Sequence, residues 1–163
     1  VKELLFVLEK NYNLNIQIKT INYNKANTQY FSFNLDETNI ASYSEPKTYL
    51  YEPNAAILKS GAFQQVSTQL KIDKLHQHSH LYTSNKLIEF PGRSFKIQYI
   101  ITYNKKELTK LIPSKKANIT TRNFPESVVQ IRKKINFKEG GNQYLFFTTD
   151  LNNKHIVLIC NKI

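Results

Sequence analysis

The order of its segments predicts an α+β or α/β fold closed by an antiparallel pair of strands, and three observations carry the prediction. Stretches of period two, such as RSFKIQYIITY over 93–103, alternate along the chain with stretches of helical period, such as ESVVQIRKKI over 126–135. Pro and Gly punctuate the joins. Near the C-terminus QYLFFTT and HIVLICN flank the turn-rich DLNNK, which reads as a hairpin.

Taken in order, KELLFVLEK sets Leu4, Leu5, Val7 and Leu8 on one apolar stripe, with Lys10 placed late to suit the helix dipole. A short helix is expected there, beginning before the chain does. IQIKTINY alternates Ile16, Ile18 and Thr20 with Gln17, Lys19 and Ile21; after NKANT, QYFSF alternates Tyr30 and Ser32 with Phe31 and Phe33. Two strands joined by a loop fit that pattern. NLDETNIASYSEPK loses all periodicity, and the charge balance changes at the same place: residues 1–47 hold five basic and five acidic side chains, residues 48–163 eighteen and seven. A domain boundary is therefore drawn between 1–47 and 48–163.

Beyond it TYLYE reads as a strand, and Pro53 fits the first turn of a helix whose early members are Asn54, Ala55, Ala56, Ile57 and Leu58. Gly61 ends or kinks that helix before AFQQVSTQL continues helically, and LHQHSHLYTS returns to extended structure. In RSFKIQYIITY, Phe95, Ile97 and Tyr99 face one side and Lys96, Gln98 and Ile100 the other. NKKELTKLI is a helix with Asn104 and Glu107 at capping-box spacing, stopped by Pro113. ANITTRN is strand-like, Pro125 opens the helix ESVVQIRKKI, and Gly140 with Gly141 turns the chain.

The 163 residues contain no run of about 18 apolar residues, so no membrane span is expected, and charge inside the N-terminal segment argues against a signal peptide. One cysteine, Cys160, cannot form an internal disulfide and sits in the apolar HIVLIC, where it reads as a small buried hydrophobe. A cytoplasmic protein is expected. The net charge of +11 is concentrated: Arg93 to Lys138 holds twelve basic residues against Glu107 and Glu126. Such a basic face suits phosphate oxygens.

Arg122, at the end of a strand, and Arg132, Lys133 and Lys134, at the end of a helix, are expected to meet beside Lys115 and Lys116; Arg93, Lys105 and Lys106 complete the candidate surface. The plainer alternative is that the cations at 132–134 complement a helix C-terminus. Tyr99 and Tyr103 are candidates for base stacking or for the core. His76, His78 and His80 lie two apart, as a metal site on a strand would want, but no acid or cysteine lies in that segment and a hydrogen-bonded loop is the preferred reading. Gly140 and Gly141 follow a helix and precede a strand, the reverse of a phosphate cradle. Glu52 is read as an acid or base, or as a group serving the free N–H groups of the next helix; Asn54 is read as a contact to an adenine edge or ribose, or as part of the strand-to-helix joint. The joint is preferred for both.

The ordered strings YLYEPNAAILKSGAF, LHQHSHLYTS, FPGRSFKI and ANITTRNFPESVVQIRKKINFKEGG resemble the C-terminal THUMP-like domain that follows the catalytic domain in a family of bacterial class I S-adenosylmethionine-dependent methyltransferases. The resemblance implies an α+β fold, a THUMP-like mixed sheet with helices, preceded by a helix and β-hairpin that resemble the end of a Rossmann-like methyltransferase sheet. It implies that the cofactor loop, the acid for the cofactor ribose and the catalytic D-P-x-x loop lie upstream of Val1, so that S-adenosylmethionine belongs to the longer parent and no cofactor is expected on these residues. RNA, as tRNA or rRNA, is the implied partner, together with the upstream methyltransferase domain. Glu52 and Asn54 become a candidate junction facing the substrate. A non-catalytic interaction module without nucleic-acid binding is the competing expectation.

Overall fold

In the computed structural model, which describes residues 3, 5–23 and 27–163, period-two alternation becomes strand wherever turn residues bound it. Strands β1 (Gln17–Tyr23) and β2 (Thr28–Asn34) pair antiparallel with Thr20 opposite Phe31. The expected alternation appears: Thr20, Phe31 and Phe33 turn inward and are buried.

The main sheet has seven strands in the order β4-β5-β3-β6-β9-β8-β7. They are β3 (Tyr49–Pro53), β4 (Asp73–Lys74), β5 (Tyr82–Ser84), β6 (Gly92–Thr102), β7 (Asn118–Arg122), β8 (Gln143–Thr149) and β9 (His155–Lys162). Every neighbouring pair is antiparallel except β7 with β8, so the sheet is mixed. With helices α1 (Ala55–Ser60), α2 (Phe63–Leu70), α3 (Lys105–Leu111) and α4 (Val128–Ile135) the fold is α+β.

Three apolar clusters hold these layers. Phe31 and Phe33 of the hairpin pack with Tyr51, Ile57, Val66 and Phe90, joining β1 and β2 to β3, α1 and α2. Burying two phenylalanines contributes roughly 3–6 kcal/mol relative to leaving them in water. The hairpin is thus part of the same packed body as α1 and α2, and contacts cross the boundary expected near residue 47. The Ala41 N–H donates to Gln64 Oε1 at 2.6 Å, Thr68 Oγ1 donates to Asn39 Oδ1 at 2.6 Å, and Lys47 pairs with Asp73. A second cluster, including Leu108, Ile131, Leu145 and Phe147, lies beneath α3 and α4. The third, on the opposite face, holds Leu50, Leu81, Phe95, Phe146, Leu158 and Cys160. Burial pushes the Cys160 thiol pKa up, as befits an inert apolar filler.

Several expectations are corrected. Residues 5–9 carry no helix, and Leu5, Val7 and Leu8 are 85%, 86% and 92% exposed; Lys2 and Leu4 of that expected element lie outside the described residues, as do 24–26 of the hairpin loop. A helix this short needs a packing partner to persist in water, and the stripe meets none among the described residues. Pro53 ends β3 rather than opening α1, because Asn54 takes the N-cap: its Oδ1 accepts the Ile57 N–H at 3.1 Å. Gly61, at φ 76°, closes that helix as expected. Pro125 does not open α4; Ser127 caps it, and Gln130 returns the bond to the Ser127 N–H at 2.8 Å.

Tyr99 does not share a face with Phe95 and Ile97. On β6 Ile97 opposes Cys160 and Tyr99 opposes Ile159, so one extra residue is inserted, a β-bulge. Ile97 consequently joins the cluster of Phe95, while Ile101 joins the cluster beneath α3 and α4 on the other face. Tyr99 is left 52% exposed.

Candidate functional site

The segments EPN, FPGR, TTRN and LHQHSH, distant in sequence, are joined by side-chain hydrogen bonds: Glu52 to Arg93 and Arg122, and Asn123 to His76. Glu52, near the end of β3, is buried with 3% of its side chain exposed. Arg93 at the start of β6 donates Nε to its Oε2 at 2.7 Å and adds a bond from Nη2 to the same oxygen; Arg122 at the end of β7 donates Nη2 to Oε1 at 2.7 Å. Two guanidiniums thus share one carboxylate, leaving the trio with a net positive charge. The guanidinium side chains themselves are 43% and 36% exposed.

Backbone geometry makes this possible. Glu52 opposes Arg93 and Pro53 opposes Gly92 in the β3–β6 ladder, and the Asn54 N–H donates to Pro91 O at 3.1 Å. A Cβ on Gly92 would lie 2.2 Å from Glu52 O and 2.9 Å from Pro53 Cα, so only glycine permits this approach. The role expected for Glu52 at the N–H groups of α1 is therefore corrected: the carboxylate serves two arginines, and Asn54 caps the helix.

Asn54 also faces the hairpin. Its Nδ2 donates to Gln29 Oε1 at 3.1 Å, and Asn22 Nδ2 donates to the same oxygen at 3.1 Å. Between the hairpin, the start of α1 and the arginine pair lies an open hollow of about 370 Å³, walled by Pro53, Ala55 and Leu58 as well as by these polar groups.

The histidine segment forms a loop between β4 and β5 rather than a continuous strand, so the three imidazoles do not line one face. His76 Nδ1 accepts the His78 N–H at 3.1 Å and lies 3.0 Å from Asn123 Nδ2, while Nε2 lies 3.1 Å from Asn153 Oδ1. With Nδ1 accepting, the ring carries its proton on Nε2 and binds the loop after β7 to the β8–β9 turn. His80 stacks on Phe63 with centroids 3.6 Å apart. Burial, aided by the charges of Lys74, Arg122 and His78, pushes the His80 pKa down to about 4. Lys74, 1% exposed, donates Nζ to Gln77 O at 3.0 Å, and burial lowers its pKa too. His80, Asn123 and Asn153 all adopt positive φ (52°, 51° and 61°), a concentration of unfavourable backbone in one place. No group of three or more His, Cys, Asp or Glu among the described residues is placed to hold a metal ion.

The expected cationic surface divides. Arg93 and Arg122 belong to the Glu52 trio, and Arg122 does not join Arg132, Lys133 and Lys134. It ends β7, whereas Arg132 Nη2 donates at 3.2 Å to the carbonyl of Ala117, which precedes that strand; five residues of strand put roughly 15 Å between the two ends. Lys134 pairs with Glu126 at 2.9 Å. Lys105 and Lys106 are exposed at the start of α3. Lys115, Lys116, Lys133 and Lys138 are exposed near the far ends of α3 and α4, and the chain at Lys116 bridges to that at Lys138. Tyr103 is core, edge-on to Phe124 and Phe147.

Sequence reasoning missed Asn22, Gln29, Asn123, Thr148 and Asn153. Thr148 opposes Arg122 in the β7–β8 register, is fully buried, and its Oγ1 has no partner among the described residues; the same holds for Arg122 Nε and His80 Nδ1. Nothing local marks Asn123, Thr148 and Asn153, whose neighbours in space lie far along the chain, whereas Asn22 and Gln29 face each other across the hairpin. Gly140 and Gly141 lie in the turn between α4 and β8, and a Cβ on Gly141 would come within 3.2 Å of Lys116 O, so that turn is already packed on the chain.

No helix of the described residues is long and apolar enough to cross a membrane. Residues 49–91 match the family model described as a ferredoxin-like domain, and residues 92–162 the model described as THUMP domain-like. No curated protein matches the chain. Among solved structures, a protein of Porphyromonas gingivalis W83, provisionally assigned as a methyltransferase, is similar at 36% identity with a TM-score of 0.82 over 90% of this chain. The present chain spans 38% of that protein's length. Residues 49–91 are thus similar to a ferredoxin-like domain and residues 92–162 to a THUMP-like one, and 90% of the chain is similar to part of a longer protein whose name calls it a methyltransferase.

Proposed function

We propose that this chain is the RNA-recognition part of an S-adenosylmethionine-dependent methyltransferase whose catalytic and cofactor-binding residues lie in a separate, preceding domain. The similarity to the Porphyromonas gingivalis protein carries this reading, since the chain accounts for little more than a third of that relative's length. The THUMP-like segment supports RNA, either tRNA or rRNA, as the partner. The surface best suited to phosphates is the group of exposed lysines Lys115, Lys116, Lys133 and Lys138, with Arg132 among them and Lys105 and Lys106 at the opposite end of α3. Counterion release from such contacts makes binding salt-dependent. The lone buried Cys160 fits a cytoplasmic setting. Titration of labelled tRNA and rRNA fragments at two salt concentrations tests the reading. Binding that tightens at low salt and weakens when the four lysines become alanine supports it; no binding at low salt overturns it.

The outer face of the hairpin favours a second contact. Ile21, Tyr23 and Tyr30 are 46%, 79% and 68% exposed, and Ile21 opposes Tyr30 in the ladder. We propose that the preceding methyltransferase domain packs on this face. Ile21→Asp with Tyr30→Asp should then weaken association with that domain supplied in trans.

A further inference from the structure

From the hollow beside Glu52 we infer a binding site for a single nucleotide, its phosphate held by Arg93 and Arg122 and its base lying on the wall made by Pro53, Ala55 and Leu58. The inference rests on the RNA-binding reading and adds to it a place where one nucleotide is read. Three observations support the site, and the second and third favour a nucleotide over a bare anion.

The first is the orientation of the cations. Glu52 is buried and occupied at both oxygens, so it sets the two guanidiniums in fixed positions beside the hollow while their side chains stay 43% and 36% exposed. Arg93 commits Nε and Nη2 to the carboxylate, which leaves Nη1 without a partner among the described residues. A phosphate contributes the negative charge that this trio lacks, and its oxygens match guanidinium N–H spacing.

The second is the apolar wall. A site for inorganic phosphate needs no hydrophobic surface, whereas a base loses water from a flat face and requires one. Pro53, Ala55 and Leu58 provide it beside the arginines, in a space of about 370 Å³.

The third is the amide pair opposite. Gln29 Oε1 accepts from both Asn22 Nδ2 and Asn54 Nδ2, which orients all three side chains. Asn22 Oδ1 and Gln29 Nε2 then make no hydrogen bond to another described residue. Both residues line the hollow, and an acceptor with a donor suits a base edge, which presents one of each.

Nuclear magnetic resonance titration of the 163-residue chain with the four nucleoside 5′-monophosphates, the four nucleosides and inorganic phosphate tests the site. Nucleotides should shift the amides of Gln29, Leu58 and Arg93, with one base binding more tightly than the others. Gln29→Leu should weaken nucleotide binding about tenfold, since it removes a hydrogen-bonding amide from the base, and should leave phosphate binding unchanged. Arg93→Lys should weaken both nucleotide and phosphate. Phosphate alone matching the nucleotides in affinity and shifts would overturn the nucleotide assignment. So would shifts confined to Lys115, Lys116, Lys133 and Lys138, an outcome that leaves RNA binding by the lysine surface standing. Loss of RNA binding with retained nucleotide shifts would instead overturn the RNA reading and keep the site.

Discussion

Oε1 of Glu52 lies 2.7 Å from Nη2 of Arg122, seventy residues along the chain. Strands β6, β9 and β8 stand between β3 and β7 in the sheet order, so this contact forms only because the sheet curls until its two flanks meet. The carboxylate is the tie between them. Glu52→Ala leaves two guanidiniums facing each other without a counter-charge. Because both are partly solvated, the loss is smaller than for a fully buried pair, about 2–3 kcal/mol. Urea unfolding of the variant should show it as a lower midpoint at unchanged slope. Pairing Glu52→Ala with Arg122→Ala should give a smaller combined loss than the sum of the two, because each change removes the same contact.

Gly92 tolerates no side chain. Its Cβ would meet Glu52 O, Pro53 Cα and Phe90 Cε1 at 2.2, 2.9 and 2.8 Å, and two of these are backbone atoms that cannot swing away. Gly92→Ala should cost about 3 kcal/mol, a value at the upper end for overpacking. Thermal unfolding gives the magnitude, and a variant as stable as the parent would contradict the packing described.

Much of this fold was legible because its signals are local. The alternation of Phe31 and Phe33 with Tyr30 and Ser32 names the buried face of β2, and Gly61 marks the end of α1. Ser127 and Gln130 also carry a readable signal, since Ser-x-x-Gln is a capping box, with Pro125 a competing start signal two residues earlier. The N-terminal stripe misled for the opposite reason: its periodicity is sound, but a helix needs something to pack against. The candidate site was legible only in part. Glu52 and Asn54 stood out as residue types, yet the partners of Glu52 lie 41 and 70 residues away, and no spacing rule reaches that far.

His80 provides the pH dependence. Its pKa falls from 6.5 to about 4 in the folded chain, through burial first and then the charges of Lys74, Arg122 and His78. In the unfolded chain the imidazole takes a proton near pH 6.5, whereas the folded chain does not until near pH 4. Stability is therefore full above about pH 6.5 and declines as the pH falls towards 4, by about 1–2 kcal/mol after allowance for partial solvation. His80→Asn keeps a residue that tolerates φ of 52° and should flatten the dependence between pH 6.5 and 5. Urea midpoints across that range decide it; equal slopes in parent and variant would assign the effect elsewhere.

The lysine surface and the arginine pair should separate in salt titrations. Removing Lys115, Lys116, Lys133 and Lys138 should lower the slope of log K against log salt by up to about 0.7 per lost phosphate contact on single-stranded RNA. Lys134, already paired with Glu126, should change the slope little when replaced by alanine. If Lys134→Ala lowers the slope as much as the four lysines together, the RNA path runs over the outer side of α4 instead.

The single inserted residue in β6 has a mechanical meaning. One strand delivers Ile97 to one apolar cluster and Ile101 to the other, so the two hydrophobic interiors hang on the same eleven-residue backbone. Neither can melt while the other keeps that strand in place. Amide protons of Leu108 and Leu50, on opposite sides of the sheet, should accordingly exchange with solvent in the same opening event, and a cavity made on one side should loosen both.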